Sequence, residues 1–323
     1  MAPLAPRFDV TAPAVPLAAR GHVHLIAIGG AGMSAVARLL LARGVTVSGS
    51  DAADSPTLEV LRSLGARVHV GHDADHLTGV DTVVVSSAIR DDNLELAAAR
   101  TMGLRVLHRS QALASLMAGS RRVAVAGANG KTTTTSMLVV ALEAAGADPC
   151  FASGGEIAQL GTNAAIGSGD AFVVEADESD GSFLAYRPDV AVVTNVQPDH
   201  LDYYGTAERV EQAYTEFVST VPADGLVVAC WDDPGSRRLA RAVRDRGRDV
   251  VTYGYRAGAD LQVLSTEPDG LGTRSPFVVA GVERILDLAV PGEHNVMDAC
   301  AAYLAAVEGL GAAADAVLVG LAG

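Results

Sequence analysis

Residues 123–136 read VAVAGANGKTTTTS. Four small apolar residues run into Gly127-Ala128-Asn129-Gly130-Lys131-Thr132, and three more threonines lead into an apolar helical pattern. This order predicts a strand, a tight glycine turn and a helix start. Backbone N–H groups in such a turn close around anionic oxygens, and the helix N-terminus adds partial positive charge. Lys131 can reach terminal phosphates, and the hydroxyl of Thr132 can ligate Mg²⁺. The usual eight-residue phosphate loop has a glycine five positions before Gly130, where Val125 stands, so the glycine spacing here is shorter. Among 24 Lys plus Arg, Lys131 is the only lysine. A chain that otherwise always uses arginine has a compact ammonium on a flexible stem where a phosphate would sit.

Downstream of the loop, residues 171–175 form an apolar strand ending in Glu175, and residues 189–195 form another, leading to Asp199-His200-Leu201-Asp202. In a parallel sheet the carboxyl ends of such strands lie beside the loop. Glu175 is therefore the first candidate for a metal carboxylate, and His200 the next. The run from Asp177 to Ser182 could orient metal waters, contact substrate or cap the next segment. Alternating strands and helices continue to residue 253. From 260 to 290 the pattern changes to short strands with turn signals, an antiparallel patch, and Pro291-Gly292-Glu293-His294-Asn295 opens a helix through residue 307.

Upstream, residues 22–28 form a strand followed by Gly29-Gly30-Ala31-Gly32-Met33-Ser34 and an apolar helix. A second strand ends at Gly49-Ser50-Asp51. The turn is similar to a dinucleotide fingerprint with altered spacing, and Asp51 stands about where an acidic ribose ligand would. His72 and His76 are spaced i, i+4 like a zinc pair, but no third ligand is apparent. The fold class expected is α/β, with a Rossmann-like parallel-sheet domain at 21–120, a P-loop-type domain at 121–323 and a loose tail at 1–20.

The formal charge of −14 argues against general nucleic-acid binding. Cys150, Cys230 and Cys300 are odd in number and far apart, which reads as free thiols in a reducing cytoplasm. No run of about 18 apolar residues suggests membrane insertion. A cytoplasmic protein is expected, and a homodimer is left open.

At this point the residues resemble the Mur ligase family, in its alanine-adding branch. The carriers are Ile28 to Ser34, Ser48-Gly49-Ser50-Asp51, Ser86-Ser87-Ala88-Ile89, the loop from Gly127 to Thr135, the run Glu175-Ala176-Asp177-Glu178-Ser179-Asp180-Gly181-Ser182-Phe183, Asp199 to Asp202, and His294-Asn295. The resemblance implies ATP-dependent ligation of L-alanine to UDP-N-acetylmuramate through an acyl phosphate, in peptidoglycan synthesis. It implies ATP at Gly127, Ala128, Asn129, Gly130, Lys131, Thr132, Thr133, His294 and Asn295. Lys131, Glu175 and His200 would be catalytic, with Mg²⁺ on Thr132, Glu175 and His200. The UDP-sugar would lie at Gly29, Gly30, Ala31, Gly32, Met33, Ser34, Asp51 and Ser86. The chain departs from the family at Ala128-Asn129, Gln197 and Glu293, and it ends where the family's third domain is expected to begin. A non-catalytic homologue that only binds the nucleotide sugar is the alternative. A nicotinamide dehydrogenase, read from the first turn, leaves the second phosphate loop without a use.

Overall fold

The computed structural model describes residues 21–323; the tail expected over 1–20 lies outside them. The described residues divide into two compact units, one of 21–119 with 152–166, the other of 120–151 with 167–323.

In the first unit the chain runs β1 (His22–Ile26), α1 (Ala31–Ala42), β2 (Thr46–Asp51), α2 (Pro56–Ser63), β3 (Arg67–Val70), β4 (Thr82–Val85), α3 (Leu94–Thr101), β5 (Arg105–His108) and α4 (Arg109–Leu116). The five strands are parallel in the order β3-β2-β1-β4-β5. The order reverses between β1 and β4, so the glycine turn after β1 and Ser86 after β4 flank the switch point. Helix starts are set by local chemistry. Ser55 caps α2 ahead of Pro56, and the Asn93 side chain accepts from the N–H groups of Glu95 and Leu96.

The second unit begins with β6 (Arg121–Ala126) and α5 (Lys131–Ala144). The chain continues through β7 (Cys150–Ile157), β8 (Thr162–Ala165), β9 (Ala171–Glu175), β10 (Val190–Val193), α6 (Leu201–Tyr204), α7 (Ala207–Ser219), β11 (Leu226–Cys230), α8 (Pro234–Asp245) and β12 (Val250–Gly254). Parallel pairing joins β9, β6, β10, β11 and β12 in that order. Val123, Ala124, Val125 and Ala126 are all completely buried, as both faces of a central parallel strand are covered. The expected antiparallel patch is β13 (Leu261–Val263), β14 (Glu267–Asp269), β15 (Gly272–Val279) and β16 (Val282–Leu288), followed by α9 (Glu293–Leu304) and α10 (Ala314–Ala322).

Three segments differ from the sequence reading. Residues 150–165 form β7 and β8, although Gly154-Gly155 and small residues hide the strand pattern. From Ala152 this hairpin belongs to the first unit, where β8 packs on α1 and Asn163 Nδ2 donates to the carbonyl of Ala31 at 3.0 Å. The approach to residue 120 contains the helix α4, whose cap is His108 rather than a more usual Ser or Asp. The last helix predicted through residue 307 ends at Leu304 and continues as a π turn over Ala305–Gly309 before α10. No helix among the described residues is long and apolar enough to cross a membrane.

Candidate nucleotide site

The loop between β6 and α5 requires its glycines. Gly127 and Gly130 take φ of 145° and 85°, and a Cβ at Gly127 would collide with the Thr194 hydroxyl. Thr194 and Asn195, just beyond β10, hold the loop from the neighbouring strand. The N–H of Asn129 donates to Asn195 Oδ1 at 3.0 Å, and Asn195 Nδ2 and Thr194 Oγ1 donate to the carbonyl of Asn129. The Asn129 amide also reaches Gln197 Oε1 at 3.4 Å, so two positions that depart from the resembling family touch each other.

Lys131 opens α5 and folds back over the loop. Its Nζ donates to the Gly127 carbonyl at 2.6 Å and lies 3.0 Å from Glu178 Oε2. Glu178 is buried, and burial raises its carboxyl above the ordinary range even though the charge of Lys131 opposes this. Next to this pair, Thr132 Oγ1 donates to Glu175 Oε2 at 2.9 Å, joining the first turn of α5 to the end of β9. His200 adopts a left-handed φ of 52° at the start of α6, with Nε2 3.8 Å from Glu178 Oε1 and 35% of the side chain exposed. Thus Thr132 and Glu175 meet directly, and His200 Nε2 lies 3.8 Å from a carboxylate oxygen of both Glu178 and Asp199. Thr132 and Glu175 offer hard oxygen donors that fit Mg²⁺, which commonly takes only one or two protein ligands beside water and phosphate. Among the described residues no group of three or more His, Cys, Asp or Glu is arranged to hold a metal alone.

A cavity of about 620 Å³ extends from Asn129, Gly130 and Thr133 toward α9. Its far wall includes His294, Glu293, Tyr255 and Asp298. Asn295 does not line it, and its Nδ2 instead donates to the Pro291 carbonyl at 2.7 Å.

In the first unit the N–H of Gly29 donates to Asp51 Oδ2 at 2.9 Å, tying the turn after β1 to the end of β2. Gly30 precedes the first residue of α1, Ala31. A Cβ on Gly32 would strike the guanidinium of Arg109, which therefore lies against the turn. Met33 and Ser34 are buried, with Ser34 Oγ bonded to the Ala31 carbonyl, and Ser86 is partly exposed after β4. His72 and His76 do share a third partner, but it is Glu95 of α3, at 2.9 and 2.8 Å.

The chain matches the Mur ligase family catalytic-domain model over residues 22–121 and the Mur ligase middle-domain model over residues 125–306. It belongs to the Mur ligase family. Among its relatives, the UDP-N-acetylmuramate–L-alanine ligase of Kineococcus radiotolerans is 59% identical over 94% of this chain and 64% of its own length. The enzyme of the same name from Renibacterium salmoninarum is 56% identical over 94% of this chain and 65% of its own. The chain therefore spans a little under two thirds of the length of these curated relatives. Of the solved structures, a UDP-N-acetylmuramate–alanine ligase from Thermotoga maritima superimposes with TM-score 0.81 at 30% identity, over 93% of this chain and 68% of that one. A UDP-N-acetylmuramate:L-alanyl-gamma-D-glutamyl-meso-diaminopimelate ligase from Neisseria meningitides gives 0.85 at 28% identity, over 94% and 98%.

Within this Mur ligase fold, Arg109, Asn163, Thr194, Asn195 and Asp298 stand at the two glycine turns without having been singled out from the sequence. Only Asn195 carried a signal, as the polar residue that ends an apolar strand.

Proposed function

We propose that this Mur ligase chain supplies the ATP and UDP-sugar apparatus for joining L-alanine to UDP-N-acetylmuramate, in peptidoglycan precursor synthesis in the cytoplasm. The muramate carboxylate oxygen attacks the γ-phosphorus of ATP, ADP departs, and an acyl phosphate forms. The alanine amine then attacks the acyl carbon, loses a proton, and phosphate departs. The observation that carries the reading is Lys131, the one lysine of the chain, held between the Gly127 carbonyl and Glu178 at the mouth of the glycine loop. An ammonium there offsets charge on a phosphoryl group in transit. The loop backbone from Gly127 to Thr133 would hold the phosphates, and His294 and Asn295 would flank the adenine. Mg²⁺ on Thr132 and Glu175, with His200 nearby, would polarise the transferring phosphoryl group. The turn from Gly29 to Ser34, with Asp51 and Ser86, would hold the UDP end. The names of relatives at 50–59% identity support the alanine-adding assignment.

Calorimetric titration of the chain with UDP-N-acetylmuramate, and separately with a non-hydrolysable ATP analogue plus Mg²⁺, tests the proposal. Binding of both ligands is expected. Lys131→Ala should weaken the ATP analogue by roughly 10- to 100-fold, the range for a charge-assisted contact, and leave the UDP-sugar unaffected. Equal ATP-analogue affinity in both proteins would sink the triphosphate reading.

A further inference from the structure

Asp298 lies four residues beyond His294 on α9, one helical turn along the same face. Its carboxyl is buried, with 8% of the residue exposed, yet it lines the cavity that contains Asn129, Gly130 and His294. It accepts a hydrogen bond from Thr134 Oγ1 at 3.1 Å. It also packs directly on the loop, because a Cβ at Gly130 would collide with Oδ1. One carboxyl therefore touches the phosphate loop, the first helix behind it and the opposite wall of the cavity.

Among the described residues no cation is paired with it. From α5 comes Thr134, while the Lys131 ammonium is turned to Gly127 and Glu178. From the β11 side come Cys230, Asp232 and Asp233. Asp232 accepts from the N–H groups of Tyr255 and Arg256, and Asp233 from those of Val196 and Ser236, so both carry backbone donors that Asp298 lacks. Burial pushes the Cys230 thiol up to about 11, and Tyr253 of β12 and Cys300 of α9 are also pushed upward, so these groups stay neutral. Glu293 and His294 face the cavity from the start of α9, and Asp315 of α10 is paired with Arg284.

We propose that Asp298 is a positioning residue that couples the phosphate loop to the nucleoside wall, and that it is protonated while a nucleotide occupies the cavity. Binding of an anionic nucleotide then takes up a proton at the Asp298 carboxyl. Burial, opposed only by the Thr134 hydrogen bond, already raises this carboxyl to about 7. A nearby polyphosphate disfavours its ionised form further. The inference rests on the nucleotide reading of this cavity.

The test is ADP binding by calorimetry from about pH 6 to about pH 8.5, at fixed Mg²⁺, in buffers of different ionisation enthalpy. The ratio of wild-type Kd to that of Asp298→Asn is expected to rise about tenfold across this range, with proton uptake lower in the variant. Thr134→Val removes the donor that favours the charged form, so it should move the wild-type decline to higher pH. If Asp298→Asn and the wild type follow parallel pH curves with equal proton uptake, the uptake does not belong to Asp298 and the proposal fails. If Thr134→Val leaves the midpoint in place, the coupling of Asp298 to α5, the helix that the loop opens, is wrong. Absence of ADP binding by all three proteins would overturn the nucleotide reading itself, a result distinct from either of these.

Discussion

Glu95 and Asp298 are both buried carboxylates, 0% and 8% exposed, each on a helix that packs against a parallel sheet. They end in opposite states. Burial pushes Glu95 upward, but His24, Ser50, His76 and His72 outweigh it and hold the carboxyl at about 2. Ser50 Oγ, His72 Nδ1 and Glu95 Oε2 form a triangle of close contacts. His24 Nε2 approaches Oε1 at 3.4 Å, an electrostatic contact rather than a formed hydrogen bond. His69 stacks on His76 with ring centroids 3.9 Å apart, so five of the chain's eight histidines, counting His22 on Ser48, gather on this face. Asp298, with one hydroxyl, goes up instead. Burial alone does not set a carboxylate's charge; the number of donors that replace water does.

The largest test of this contrast is Glu95→Ala. Removing the acid leaves several imidazoles without the partner that orients them, and the first unit should lose about 3–5 kcal/mol, the range for breaking a buried pair. Urea unfolding followed by a probe in that unit measures it. The pH dependence has a definite sign. The Glu95 carboxyl is depressed in the folded state, so its contribution is present above its ordinary value of 4.5 and is lost as pH falls toward about 2. Glu95→Gln should remove that acid limb. Persistence of the limb in the variant would transfer it to other groups and break the comparison.

Asp298→Asn should act the other way. A carboxyl raised in the folded state favours folding at low pH, and that contribution is lost as pH rises from its ordinary 3.8 through about 7. At about pH 8 the native protein bears the full desolvation of the charge, so the amide should stabilise the second unit by roughly 1–3 kcal/mol. At about pH 5 the difference should be much smaller. A destabilised variant at the higher pH would mean that the charge is compensated by contacts other than Thr134.

The two sites also differ in how far the sequence revealed them. The loop from Gly127 to Thr132 is contiguous, and its shape follows from residue types that few other structures need, so strand, turn and helix could be read directly. Glu175 and Thr132 could be paired in advance because parallel strands deliver their ends to one edge. Glu95 could not be paired with His72 and His76, since α3 meets them only after the chain has crossed β4. The i, i+4 histidines resembled a zinc pair with no third ligand apparent, and nothing local pointed to a carboxylate on another helix. Asp298 was invisible for the same reason. Read along α9 it is one acid in an alanine-rich helix, and its meaning comes from Gly130, 168 residues earlier. Asn295 entered through the resemblance alone, and in the fold its amide donates to the Pro291 carbonyl, a contact that residue type does not foretell. Arg109 gave no signal because its contact with Gly32 depends on where α4 packs.

The smallest and sharpest comparison removes one hydroxyl from each cluster. Ser50→Ala deletes one donor to Glu95 but leaves His72 and His76 at 2.9 and 2.8 Å, so the carboxylate remains ionised and hydrogen-bonded. The loss at neutral pH should be about 1–2 kcal/mol, as for one hydrogen bond to a charged group, and the acid limb should move to slightly higher pH. Thr134→Val deletes the donor to an acid that is already largely neutral at about pH 6. Its cost there should be below about 1 kcal/mol, and it should grow as pH rises because the charged form has lost its one hydroxyl. The two variants therefore diverge on opposite sides of neutrality. Thermal unfolding of both at about pH 5 and about pH 8 measures the divergence. If Thr134→Val costs the same at both pH values, Asp298 does not change charge between them, and the two carboxylates are more alike than their surroundings imply.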